Sequence, residues 1–146
     1  MNNNEIILQA RTWLNTPFVH QGRVKNQGCD CLGLILGVGR ELGVKIGTKP
    51  IEEFDEISYS MQPDGKILKK KLDEILVQKK KHEAKPGDIF LMNFGSNPQH
   101  LGFISDYPSN PAFGIIHCYS QVGKVVEHRL NDFWFSKIET IYSILN

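Results

Sequence analysis

No stretch of this chain is both long and apolar enough to span a bilayer as a helix. Its opening, Met1-Asn2-Asn3-Asn4-Glu5, lacks the basic start and apolar core of a signal peptide. The chain is therefore expected to be made in the cytoplasm and to have no membrane partner. Charge of one sign is also lacking. Seventeen Lys and Arg balance sixteen Asp and Glu, for a net charge of +1, so nothing electrostatic argues for nucleic acid. Cysteine is scarce. Three residues make an odd count, and Cys29 and Cys31 are too close for an ordinary bridge, which excludes a disulfide framework. Cys-x-Cys also lacks the paired spacing of structural zinc, so no metal site and no cofactor is expected. Repeats, linkers and low-complexity segments are missing. One domain over residues 1–146 is the expectation, and 40% apolar content suffices for a core.

What is present starts with Gly28-Cys29-Asp30-Cys31-Leu32-Gly33-Leu34. Asp30 is a natural N-cap, because its carboxylate can accept the unpaired amides of a first helical turn. The apolar run Leu32, Leu34, Ile35, Leu36, Val38 extends that helix to about Leu42, and Gly43 offers a stop. Cys31 then stands at the positive end of the helix dipole, which favours the nucleophilic thiolate. A lone thiol in such a helix is more often a small core residue.

Two histidines on apolar segments change the balance. His100 lies in Gln99-His100-Leu101-Gly102-Phe103-Ile104, and His117 in Gly114-Ile115-Ile116-His117-Cys118-Tyr119. Both segments read as strands, separated by the turn residues Asp106, Pro108, Ser109, Asn110 and Pro111. A single His on a strand is usually structural. Two on sequential strands can set a base and its orienting partner side by side. With a helix-borne Cys they compose the thiol version of a nucleophilic triad.

The remaining pattern is α+β. Residues 4–14 form a short helix with Ile6, Ile7, Ala10, Trp13 and Leu14 on one face. Residues 15–29 form a loop. Residues 44–63, punctuated by Gly47, Pro50 and Pro63, form loop with one helical turn. Residues 64–81 read as an amphipathic helix ending in the solvated run Lys79-Lys80-Lys81. Strands follow near 88–93, 100–105, 113–119, 123–128 and 138–144, with a hairpin at Gly123. N-terminal helices on a central antiparallel sheet of about five to six strands is the predicted architecture. His82 and His128 read as exposed, His128 because Glu127 and Arg129 flank it. His20 lines the cleft or the surface.

These segments resemble the NlpC-type cell-wall cysteine peptidases, a papain-like family. Ala10-Arg11-Thr12-Trp13-Leu14-Asn15-Thr16-Pro17-Phe18 is similar to the family's opening helix and Thr-Pro-Tyr turn. Asp30-Cys31-Leu32-Gly33-Leu34 is similar to its nucleophile motif, Lys85-Pro86-Gly87-Asp88-Ile89 to the start of its core strand, His100-Leu101-Gly102-Phe103 to its base motif, and Ile116-His117 to its third catalytic position. A sub-group encoded by prophages and gene-transfer-agent clusters is closest. This chain shares its His20-Gln21-Gly22-Arg23, Cys29-Asp30-Cys31-Leu32-Gly33-Leu34 and Val126-Glu127-His128-Arg129-Leu130.

The resemblance implies a papain-like fold and a single catalytic domain. It implies a peptidoglycan endopeptidase with Cys31 as nucleophile, His100 as base and His117 as orienter. The stem peptide would be cut between γ-D-glutamate and a diamino acid. Association with phage-tail proteins would carry the enzyme to the cell envelope. Asp30, His20 and Phe18 are the expected substrate-side residues. Three departures stand out. Phe18 replaces a tyrosine whose hydroxyl would serve the oxyanion, Leu32 replaces a serine, and the Val24–Gln27 loop carries an insertion. A weakened or inactive wall-binding tail protein, or an amidase, is the alternative on the same fold.

Overall fold

Asn2 caps the first helix. Its side chain accepts from the Glu5 amide at 2.9 Å, while the Glu5 carboxylate accepts from the Asn2 amide at 2.9 Å. This reciprocal pair satisfies two orphan donors and starts α1, Asn3–Arg11. Ile6, Ile7 and Ala10 are its buried face. Trp13, fully buried just beyond it, donates from Nε1 to Glu41 at 2.6 Å. The computed structural model describes residues 1–60, 66–95, 99–109 and 113–144. The expected punctuating Pro63 and the turn residues Asn110 and Pro111 lie outside these.

The 15–29 segment, expected as loop, contains two short paired strands, β1 (Arg23–Val24) and β2 (Gly28–Cys29). α2, Cys31–Glu41, follows as expected, with Asp30 accepting from the Gly33 amide at 2.8 Å. Every residue from Cys31 to Gly39 is buried. A helix apolar on all sides belongs inside the protein, and this one forms the centre of the core. It ends before Gly43, whose φ of 70° is a left-handed conformation that glycine adopts without penalty. A second small hairpin, β3 (Lys45–Ile46) and β4 (Lys49–Pro50), leads into a 3-10 turn at Ile51–Phe54.

The helix expected over 64–81 is shorter. α3 spans Ile67–Ile75, and the chain then turns into a strand, β5 (Val77–Lys79). β5 pairs with the last strand of the chain, a partner invisible to local sequence pattern. The lysine run is therefore not a helix end. Lys79 instead forms an ion pair with the buried Asp88 at 2.6 Å. The other strands are β6 (Ile89–Asn93), β7 (Gln99–Ser105), β8 (Gly114–Tyr119), β9 (Lys124–Arg129) and, after a short helix α4 (Asp132–Lys137), β10 (Ile138–Ser143).

Six strands form one antiparallel sheet in the order β5-β10-β6-β7-β8-β9. Alternation puts Leu101, Phe103, Ile116 and Cys118 on the face covered by the helices. Phe90, Met92, Ile104, Ile115 and Ile141 occupy the other face, against Trp134 of α4. The protein is thus α+β, with its N-terminal helices on a central antiparallel sheet.

Candidate active site

Cys31 is the first residue of α2 and is 5 % exposed. It sits where two strands part. β7 and β8 pair from Ser105↔Gly114 to Gly102↔His117 and no further, while β8 continues along β9 to Tyr119↔Lys124. The Leu101 amide, next to His100, and the Leu32 amide lie close enough to the Cys31 sulfur to favour its thiolate. The helix start alone was expected to favour thiolate. Burial reverses this and, with the adjacent Asp30 carboxylate, pushes the thiol up to about 12.

His100 is 6 % exposed on β7. Its Nε2 lies 2.7 Å from Nδ1 of His117 on β8. The register explains the meeting. Gly102 pairs with His117, so His100 and His117 share one face two residues apart along the ladder. Gly102 has to lack a side chain, because a Cβ there would drive into the Phe90 ring. Phe90 and Tyr119 flank His100, with ring centroids 5.9 and 4.9 Å away. Burial pushes His100 down to about 3 and His117 well below its ordinary value, so both rings are neutral. Among the described residues no hydrogen bond joins the Cys31 sulfur to His100.

His128, expected to be exposed, is half-buried, and its Nε2 lies 2.8 Å from Nε2 of His117. The physical reason is hairpin arithmetic. The turn at Gly123 sets Tyr119 opposite Lys124, so Ile115 lies opposite His128, on the face that carries His117. The flanking Glu127 and Arg129 point the other way along the strand. Glu127 in fact binds Arg11 at 2.9 Å. Trp134 packs on both rings, 5.2 Å from His117 and 5.3 Å from His128.

Asp30 lies on the other side of Cys31 and is 2 % exposed. Besides the Gly33 amide, it accepts from the Gln21 amide (2.8 Å), Arg23 Nη1 (2.9 Å) and the Tyr59 hydroxyl (2.5 Å). Arg23 reaches on to Asp55. The carboxylate therefore ties His20-Gln21-Gly22-Arg23 and Tyr59 to the first turn of α2, and all its contacts are internal. Gly33 lets this happen, since a Cβ there would collide with the Gly22 carbonyl. Tyr59 was not foreseen, for it stands alone in a polar stretch. His20 makes an edge contact with it at 5.6 Å, and its Nδ1 is buried without a partner among the described residues. Phe18 is half-buried against the main core, its amide donating to Gly123 at 2.8 Å. Among the described residues no group of three or more His, Cys, Asp or Glu is arranged to hold a metal.

No protein-family model and no curated protein matches this chain. Solved structures do. The NlpC/p60 domain of the peptidoglycan hydrolase SagA superposes with a TM-score of 0.66 at 17% identity, covering 98% of this chain and 99% of that one. The fold is the NlpC/p60 fold. An NlpC/p60 family protein from Bacillus cereus gives a TM-score of 0.69 at 16% identity over 100% of this chain. A lipoprotein-like NLP/P60 family protein from Staphylococcus aureus gives 0.66 at 13% over 100%. The chain spans about two-fifths of these last two, 41% and 43% of their lengths.

Proposed function

We propose that this protein is a cysteine endopeptidase of bacterial peptidoglycan, with residues 1–146 as one catalytic domain. The observations that carry the reading are the bonded pair His100–His117 and a cysteine at a helix start that the residue after His100, Leu101, approaches through its amide, on an NlpC/p60 fold. His100 Nδ1, the nitrogen not engaged by His117, takes the Cys31 proton as the sulfur attacks an amide carbonyl carbon. The new C–S bond leaves an oxyanion, for which the Cys31 amide at the start of α2 is a donor. His100 then passes its proton to the leaving amine, the C–N bond breaks, and a thioester remains. Water, deprotonated by His100, releases the acid. Neutral thiol and neutral imidazole are the resting forms, so proton transfer accompanies attack rather than preceding it.

We infer the substrate bond, γ-D-glutamyl to diamino acid, from the motif resemblance. The phage-tail association is inferred from the resemblance of His20-Gln21-Gly22-Arg23, Cys29-Asp30-Cys31-Leu32-Gly33-Leu34 and Val126-Glu127-His128-Arg129-Leu130. No helix among the described residues is long and apolar enough to cross a membrane. The buried Cys31 thiol, with no hydrogen bond to His100, favours a second reading, a wall-binding protein on the same fold. Digestion of purified sacculi, followed by mass spectrometry of the products, separates the two: muropeptides with a new amine terminus support the peptidase, and intact sacculi retaining the protein support the binding module.

A further inference from the structure

The reaction above makes no use of His128 or of the carbonyl beside it. His128 Nδ1 lies 2.9 Å from the Arg129 carbonyl oxygen, and its Nε2 lies 2.8 Å from His117 Nε2. With the 2.7 Å bond from His117 Nδ1 to His100 Nε2, three imidazoles form a chain that ends on backbone. A carbonyl oxygen only accepts, so His128 Nδ1 carries the hydrogen. In a neutral ring the other nitrogen then holds a lone pair. His128 Nε2 therefore accepts, and His117 Nε2 donates to it. His117 Nδ1 is left to accept from His100 Nε2–H. The lone pair of His100 is thereby placed on Nδ1. With three neutral rings, no other assignment makes all three bonds.

We propose that His128, held by the Arg129 carbonyl, is a positioning residue that sets the protonation pattern of His117 and His100 and leaves the base lone pair on His100 Nδ1. The role rests on the reading of His100 as the base. Its physical sense lies in the absence of charge. In a Ser-His-Asp arrangement a carboxylate selects the tautomer. Here, among the described residues, no carboxylate bonds any of the three rings, and neighbouring Glu127 is engaged by Arg11. A carbonyl reached through two further imidazoles performs the same selection without a buried anion. Trp134 packs on His117 and His128 together and holds the rings in line.

The test is nitrogen-15 NMR of histidine-labelled full-length protein at mildly alkaline pH, joined to muropeptide kinetics. The expected pattern is Nε2–H on His100 and His117 and Nδ1–H on His128. In His128→Phe the acceptor is gone; His117 and His100 should become tautomer mixtures, and kcat should fall roughly tenfold, short of the 10²–10⁴ lost with a general base. His128→Gln offers a carbonyl oxygen to His117 Nε2–H and should restore both pattern and rate. Nδ1–H on His100 in the wild type overturns the proposal. So do unchanged tautomers and unchanged kcat in His128→Phe. If that variant does not fold, the wild-type spectrum and His128→Gln decide. If the wild type cleaves no muropeptide yet shows the expected pattern, the peptidase reading fails and the assignment of the rings stands.

Discussion

His117 Nδ1 meets His100 Nε2 at 2.7 Å, and both rings are buried. In the proposed mechanism His100 is the base and His117 its support, which makes their losses unequal. His100→Ala should approach the loss caused by Cys31→Ala. His117→Ala should retain more, since members of such a unit do not contribute equally. The check is kcat/KM of each variant on one defined muropeptide. Near-full activity in His117→Ala would remove it from the mechanism.

The buried Cys31 thiol has a kinetic signature. Burial pushes it up to about 12, so little thiolate exists near neutrality. Alkylation by iodoacetamide should climb roughly tenfold per pH unit through the neutral range, because thiolate is the reacting form. Cys31 should still react before Cys29 and Cys118, which are 0% and 1% exposed. Mass-spectrometric labelling against pH measures this. A rate plateau near neutral pH would indicate a preformed thiolate–imidazolium pair instead.

The same groups shape stability against pH. Burial lowers His100 from its ordinary 6.5 to about 3. The unfolded chain therefore takes up a proton first, and stability falls as pH drops from about 6.5 toward 3, by at most about 1.4 kcal/mol per pH unit. Cys31 runs oppositely. Its value rises from 9.0 to about 12, so its contribution is intact below 9 and is lost as pH climbs through that window. Urea unfolding across pH should show a shallower acid limb in His100→Phe and a shallower alkaline limb in Cys31→Ala. Parallel curves for wild type and variants would contradict these assignments.

Asp30 should matter most for stability. Asp30→Ala removes the one buried acceptor shared by the Gln21 and Gly33 amides, Arg23 Nη1 and the Tyr59 hydroxyl, while Arg23 keeps Asp55; breaking a buried pair of this kind costs about 3–5 kcal/mol. Asp30→Asn keeps the shape and should cost less. Thermal unfolding followed by circular dichroism gives the comparison. A small Tm change in Asp30→Ala would mean that water replaces the carboxylate and that the loop 20–23 is held by other contacts.

Local chemistry made much of this readable. Asp30 before an apolar run announces a capped helix, and Gly43 ends it. The period of the apolar residues marks β6 to β9 to within a residue or two. What escaped depends on distant partners. β5 is a strand only because β10 lies beside it, and the same lysine-rich residues read alone continue a helix. His128 looked exposed from its charged neighbours, yet counting residues across the Gly123 turn puts it on the face of His117. The state of Cys31 escaped because the helix dipole is a local signal, whereas the burial that outweighs it comes from packing at the parting of β7 and β8.

The most direct measurement is mass spectrometry of purified sacculi digested with the wild type and, in parallel, with Cys31→Ala of equal thermal stability. The wild type should release stem-peptide fragments carrying a new diamino-acid amine terminus, and the variant should release none. Equal release by Cys31→Ala, or none by the folded wild type, would contradict the proposed mechanism.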